Sequence, residues 1–285
     1  MKQSLILLLM VSCMMFMSVS GCIVEKSVYS RPSAEVQSPP PEPFKELTLP
    51  LPSGITVTGW ECTRAQVSDT SPAIVYFHGN AENLHTMHLS GQFALLSTLR
   101  AHYVAIDYPG YGRSTGKPSE KSLAQACTAV AQWMNKRYPQ SPLILCGWSL
   151  GAAAAIGCAA ENADIVDGLI VISGWTSLHD VASQFYPAWL VGLLLRDRYN
   201  SLETIQRTTC PVLVIHGGND RLIPFAQGER LAESVPGCRF IQIRNRGHND
   251  LLSDSNVWTA IGEFIRTVQS AGIKPNNTDT LPIVE

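Results

Sequence analysis

Three residues far apart in this chain have the types and settings to do chemistry together. The first is Ser149, in Gly147-Trp148-Ser149-Leu150-Gly151. A serine hydroxyl is a weak nucleophile until a base takes its proton. The apolar run Leu143-Ile144-Leu145-Cys146 precedes it, and the small-residue run from Ala152 to Ala160 follows. The pattern Gly-x-Ser-x-Gly thus falls between a buried strand and a tightly packed helix, where glycines permit a sharp turn that lifts the serine clear of the backbone. The competing reading is a glycine-rich turn with a helix-capping serine. The base should come late in the chain, and His248, in Arg246-Gly247-His248-Asn249, follows the last apolar run. Against it stand an ordinary exposed loop histidine and the rivals His216, His78, His85, His88 and His179. The acid should lie between them. Asp220, in Gly217-Gly218-Asn219-Asp220, holds that place ahead of Asp250 and Asp254. An ordinary turn aspartate is the competing reading. Serine, histidine and aspartate in contact perform acyl transfer.

Acyl transfer also needs two N–H donors for the oxyanion. One is expected at Leu150, at the start of a helix where backbone N–H groups favour negative charge. The other is expected at Asn80, in the loop His78-Gly79-Asn80-Ala81, with Ala81 as the fallback. His78 reads as a structural hydrogen-bonding residue.

These residues need a frame. Ile55 to Cys62 alternates like a half-buried strand, and Ala73–Phe77, Tyr103–Ile106, Leu143–Cys146, Leu169–Ile172, Val212–Ile215 and Phe240–Ile243 are short apolar runs. Helical spacing lies between them, over Ser122–Tyr138, Ala152–Ala160, Phe225–Val235 and Val257–Val268. Buried strands alternating with helices predict an α/β fold with a mostly parallel sheet covered on both faces. Ligands bind at the carboxyl ends of such strands, and the candidate residues all follow those ends.

Together, His78-Gly79-Asn80-Ala81, Asp107-Tyr108-Pro109-Gly110-Tyr111-Gly112, Gly147-Trp148-Ser149-Leu150-Gly151, Gly218-Asn219-Asp220 and Gly247-His248 resemble the α/β-hydrolase superfamily. They are similar to its small-lid branch of depalmitoylase-like and monoacylglycerol-lipase-like enzymes. The resemblance implies an α/β-hydrolase fold and an esterase, thioesterase or lipase. It implies that Asp107 and Tyr108 shape the wall of the site rather than react. Two alternatives stay open: a peptidase or amidase on the same residues, and a non-catalytic surface lipoprotein with this fold.

The ends read differently. Residues 1–21 have a positive start, an apolar run from Leu5 to Met17 and small residues before a cysteine, as in a signal peptide. Val19-Ser20-Gly21-Cys22 resembles a bacterial lipobox, which implies cleavage before Cys22, lipidation of Cys22 and attachment to a membrane. Ile23 in place of aspartate implies the outer membrane, facing the periplasm or the cell surface. Residues 22–43 are rich in Ser and Pro and read as an extended tether that buries nothing. Residues 44–270 form the domain, and 271–285 read as a flexible tail. Within the domain, 175–206 is longer than a crossover helix needs. It is expected to be a small lid lining an acyl pocket, to pack on the sheet, or to dip into a membrane.

A net charge of -2 argues against nucleic acid as a partner. The expected partner is a small acyl ester or lipid. Of eight cysteines, six remain after Cys13 and Cys22 are set aside, and their spacing fits no zinc site. No cofactor or metal is expected, since the proposed chemistry requires neither. Cys146 and Cys158 read as buried thiols. Cys210 and Cys238 each precede a strand, so a disulfide can form if the strands are neighbours and the compartment is oxidising, although sequence alone does not fix the pairing.

Overall fold

A computed structural model describes residues 28–32, 40–62 and 67–271. The signal peptide, Cys13, Cys22, most of the tail and part of the tether lie outside the described residues.

Eight strands form one sheet: β1 (Phe44–Pro50), β2 (Thr56–Cys62), β3 (Ala73–Phe77), β4 (His102–Ile106), β5 (Leu143–Trp148), β6 (Gly168–Ile172), β7 (Val212–Gly217) and β8 (Arg239–Ile243). Their spatial order is β1-β2-β4-β3-β5-β6-β7-β8. Only β2 runs against its neighbours; from β4 to β8 all pairings are parallel. Alternate residues of a strand face opposite sides. Val75, Phe77 and Leu145 join one core, whereas Ile74, Tyr76, Ile144 and Cys146 join the other. Both faces are covered, which is why the central strands are unbroken apolar runs rather than alternating ones. Each fully buried aliphatic side chain contributes about 1.5–3 kcal/mol.

The helices are α1 (Leu84–Leu89), α2 (Gln92–Leu96), α3 (Glu120–Arg137), α4 (Leu150–Glu161), α5 (Leu178–Ala182), α6 (Ala188–Leu194), α7 (Ser201–Ile205), α8 (Phe225–Glu233) and α9 (Ser255–Ala271). Helix α4 touches β3, β5, β6, α3 and α7. That crowding requires its alanines, because larger side chains would hold the layers apart.

Three features depart from the sequence expectation. Strand β1 has one well-buried residue, Phe44, and so lacks an apolar period. Helices α1 and α2 are too short for a periodic signal. The third lies in the segment 22–43, expected to bury nothing: Tyr29 is only 3% exposed and belongs to the main core. Strands β7 and β8 are neighbours, yet Cys210 and Cys238 are free thiols. Burial pushes both up to about 11. Cys146 and Cys158 are buried.

The tightest approach is at the β5–α4 turn. A Cβ at Gly151 would lie 2.0 Å from the Phe77 carbonyl oxygen, and one at Gly147 would lie 2.0 Å from the Gly151 carbonyl oxygen. Gly151→Val should therefore cost about 3 kcal/mol or more in urea unfolding, since backbone cannot yield as a side chain can. Gly157→Ala, in the same helix with open space around it, should instead stabilise by about 0.5–1 kcal/mol.

Candidate active site

Ser149 stands between β5 and α4 with φ 56° and ψ −116°, and its N–H is held by the Ile172 carbonyl at 2.9 Å. Positive φ strains any residue with a Cβ. The Ser149 side chain makes no capping bond to α4, which disposes of the capping reading. Its Oγ lies 3.0 Å from His248 Nε2, and His248 Nδ1 lies 2.8 Å from Asp220 Oδ2. A carboxylate only accepts, so Nδ1 carries the proton and Nε2 is left to accept from the Ser149 hydroxyl. All three residues are buried. The structure thus brings together the serine, histidine and aspartate expected from the sequence.

Asp220 is also a turn residue. Its Oδ1 accepts from Leu222 N–H (2.9 Å) and Ile223 N–H (2.8 Å), which aims Oδ2 at His248. The two readings of Asp220 are therefore compatible. His216 Nε2–H donates to the Ile223 carbonyl at 2.9 Å and approaches Asp220 Oδ2 at 3.5 Å. Burial alone would raise the Asp220 carboxyl. Hydrogen bonds from His216 and His248, then the charge of His248, outweigh it and hold the carboxyl well below the usual range.

The rival acids hold the loop instead. Asp250 accepts from Gly247 N–H at 2.7 Å, and Asp254 accepts from Arg246 Nε at 2.9 Å. The β7 and β8 loops are locked together, with Asn219 N–H bonded to the Arg246 carbonyl. Sequence reasoning missed Trp148, whose ring packs on His248 at 5.4 Å. It also missed Glu82, which accepts from Gly79 N–H at 2.9 Å and pairs with Gln92. Neither residue type carries a signal for such a role without the fold.

The expected oxyanion residues Asn80 and Leu150 both border the same cavity as Ser149. The fallback Ala81 is excluded, because its N–H is bonded to the Ser30 carbonyl at 2.9 Å. His78 is wholly buried, and burial pushes its pKa down to about 4, so it is neutral at pH 7. Its carbonyl accepts from Tyr108 Oη at 2.7 Å.

The expectation that Asp107 and Tyr108 form the wall needs correcting. Both are fully buried and neither borders the cavity. They brace the loops from behind, Asp107 by accepting from Leu84 N–H at 2.9 Å and Arg113 N–H at 3.2 Å. Burial raises the Asp107 carboxyl to about 6 against these bonds.

The cavity holds about 430 Å³, within the common range for small-molecule sites. Beyond Ser149, Asn80 and Tyr186 its lining is apolar among the described residues and includes Trp175, Leu178, Val191 and Leu195 from the 175–206 segment. That segment therefore both packs on the domain and roofs the site. A wider depression of about 760 Å³ lies over α3 and α4, away from Ser149. Among the described residues no cluster of three or more His, Cys, Asp or Glu could hold a metal.

A family model described as the alpha/beta hydrolase fold matches residues 72–204. An uncharacterized protein of Mycobacterium tuberculosis is 32% identical over 227 residues, covering 78% of this chain and 79% of that protein. The chain belongs to the α/β-hydrolase superfamily. Among its relatives in that superfamily is the lysophosphatidylserine lipase ABHD12 of Danio rerio, 31% identical over 176 residues. That match covers 56% of this chain and 46% of the relative, about half of each. In fold, this α/β-hydrolase resembles the Pyrococcus furiosus esterase Pf2001, with a TM-score of 0.68 and 18% identity over 84% of this chain and 99% of the esterase.

The depressed Asp220 carboxyl has a consequence for stability. A native pKa below the unfolded value of 3.8 stabilises above about pH 4, and that contribution is lost as the pH falls. The difference in Tm between the wild type and Asp220→Asn should therefore shrink between about pH 5 and pH 2. A constant difference in thermal melts across that range would contradict this account.

Proposed function

We propose that this α/β-hydrolase is a serine hydrolase that cleaves carboxylic ester or thioester bonds of acyl or lipid substrates through an acyl-enzyme. One observation carries the reading. The hydrogen-bonded chain Ser149–His248–Asp220 opens into a cavity that no charged side chain lines among the described residues. Such a cavity suits an acyl chain. It offers no ionic partner to a peptide, which counts against the peptidase and amidase alternative. The similarity to a lysophosphatidylserine lipase supports a lipid substrate.

In the proposed reaction, Ser149 Oγ attacks the carbonyl carbon while His248 Nε2 takes its proton. Asp220 keeps the imidazole in the required tautomer and stabilises the imidazolium. The Asn80 and Leu150 N–H groups hold the oxyanion, aided by the N-terminus of α4. His248 then passes the proton to the leaving alcohol or thiol. A water molecule, deprotonated by His248, attacks the acyl-enzyme and releases the acid.

Ser149→Ala should lower hydrolysis of p-nitrophenyl esters by about 10⁴-fold or more and abolish fluorophosphonate labelling. Labelling at the wild-type level in that variant would sink the assignment. No labelling of the wild type would favour the non-catalytic alternative.

The same reading places the enzyme on a membrane of a bacterial envelope through lipidated Cys22, exported by the 1–21 signal. Support comes from the sequence Val19-Ser20-Gly21-Cys22. An alkyne fatty acid fed to expressing cells should label the wild type and not Cys22→Ala. Equal labelling of both would overturn the anchor.

A further inference from the structure

Residues 28–32 make contacts that a spacer would not. Tyr29 is buried between exposed or half-exposed neighbours. Its Oη donates to Asp197 Oδ2 at 2.6 Å and lies 3.0 Å from Tyr199 Oη. The next residue, Ser30, accepts the Ala81 N–H at 2.9 Å. The preceding residue, Val28, borders the cavity that Ser149 and Asn80 also border.

The two ends of this contact set belong to different parts of the fold. Asp197 and Tyr199 lie between α6 and α7, in the stem that returns the lid to the sheet. That stem is fixed on its other side by Glu120, which accepts from Arg198 N–H at 2.7 Å and Tyr199 N–H at 3.0 Å. Ala81 follows Asn80 in the loop after β3 and has φ 59°. A non-glycine residue in this conformation persists only where its surroundings hold it. Ser30 supplies one such contact, and it orients the Asn80–Ala81 peptide. Tyr111 holds the preceding residue by donating from Oη to Asn80 Oδ1 at 2.8 Å.

We propose that Val28-Tyr29-Ser30 is a strap joining the lid stem to the loop that carries Asn80, with Tyr29 as a positioning residue and Val28 as a determinant of acyl-chain length. The kinetic part rests on the serine-hydrolase reading, whereas the bridge itself does not. A segment that composition marks as a spacer thereby becomes part of the site. The hydroxyl of Tyr29 is costly to strip of partners where it is buried. Its two contacts with the stem, together with the Ser30–Ala81 bond to the loop, therefore favour one placement of the stem relative to the loop.

The test uses the full chain from residue 22, with three variants. In Tyr29→Ala, hydrogen exchange should quicken in peptides covering both 78–84 and 196–200, and kcat on a p-nitrophenyl ester should fall about tenfold. Tyr29→Phe keeps the ring and loses the hydroxyl. It should lower kcat about threefold with KM little changed, since the loss acts on the geometry of the oxyanion loop. Val28→Trp should move the preferred acyl chain of an ester series to shorter lengths, a shift that general destabilisation does not produce. Unchanged exchange in both peptides of Tyr29→Ala overturns the bridge. If that variant does not fold, Tyr29→Phe and Val28→Trp decide, and wild-type kinetics with an unmoved chain-length profile overturn the proposal. A wild type that exchanges as expected but hydrolyses no ester refutes the serine-hydrolase reading and leaves the bridge standing.

Discussion

The backbone of β5 meets the backbone of β3 across the first turn of α4 with no room for a side chain. Gly151 presses on the Phe77 carbonyl and Gly147 on the Gly151 carbonyl. That contact holds Ser149 at positive φ, in a conformation it would not adopt alone. Everything at the site is arranged around the resulting position. The α4 N-terminus points at the serine, and the loop after β3 lies beside it because β3 and β5 are paired strands. The alanines of α4 follow from the same constraint, since a helix that begins against the sheet must stay close to it.

Opposite the serine, the polar groups are positioned by one another rather than by a single element. Asp220 is fixed by its own turn and by two histidines, and His248 by Asp220 and the Trp148 ring. The two loops are tied through backbone bonds between Asn219 and Arg246 and between Gly218 and Ile243. Buried polar networks of this kind hold a unique geometry only when their members are mostly satisfied. Hydrogen bonds tie the arrangement below the serine, and apolar side chains surround the cavity above it.

Above it, the lid divides its apolar residues between two environments. Val191 and Leu195 are buried, while Tyr186 and Trp189 are 58% and 73% exposed. A short helix cannot bury its whole circumference against one surface, so α6 covers the cavity with one face and leaves the other open. The outer face of the lid is therefore an exposed apolar surface.

Much of this was legible in the sequence because its signals are local. Central strands appear as apolar runs, α3 and α9 as helical periods, and the β5–α4 turn as two glycines around a serine. The order of Ser149, Asp220 and His248 pointed, among seven histidines and several carboxylates, to three side chains that hydrogen-bond to one another in the fold. Long-range placement was not legible. Strand β1 carries a single well-buried residue, Tyr29 sits in a stretch whose composition reads as a spacer, and Trp148 and Glu82 act through contacts that no window contains. The sequence by itself determined the central strands, the long helices and the candidate residues they carry, because backbone propensity and apolar period depend on near neighbours. Only the tertiary structure decided which of them meet, because strand order, register and the docking of the 28–30 segment depend on contacts between residues far apart in the chain.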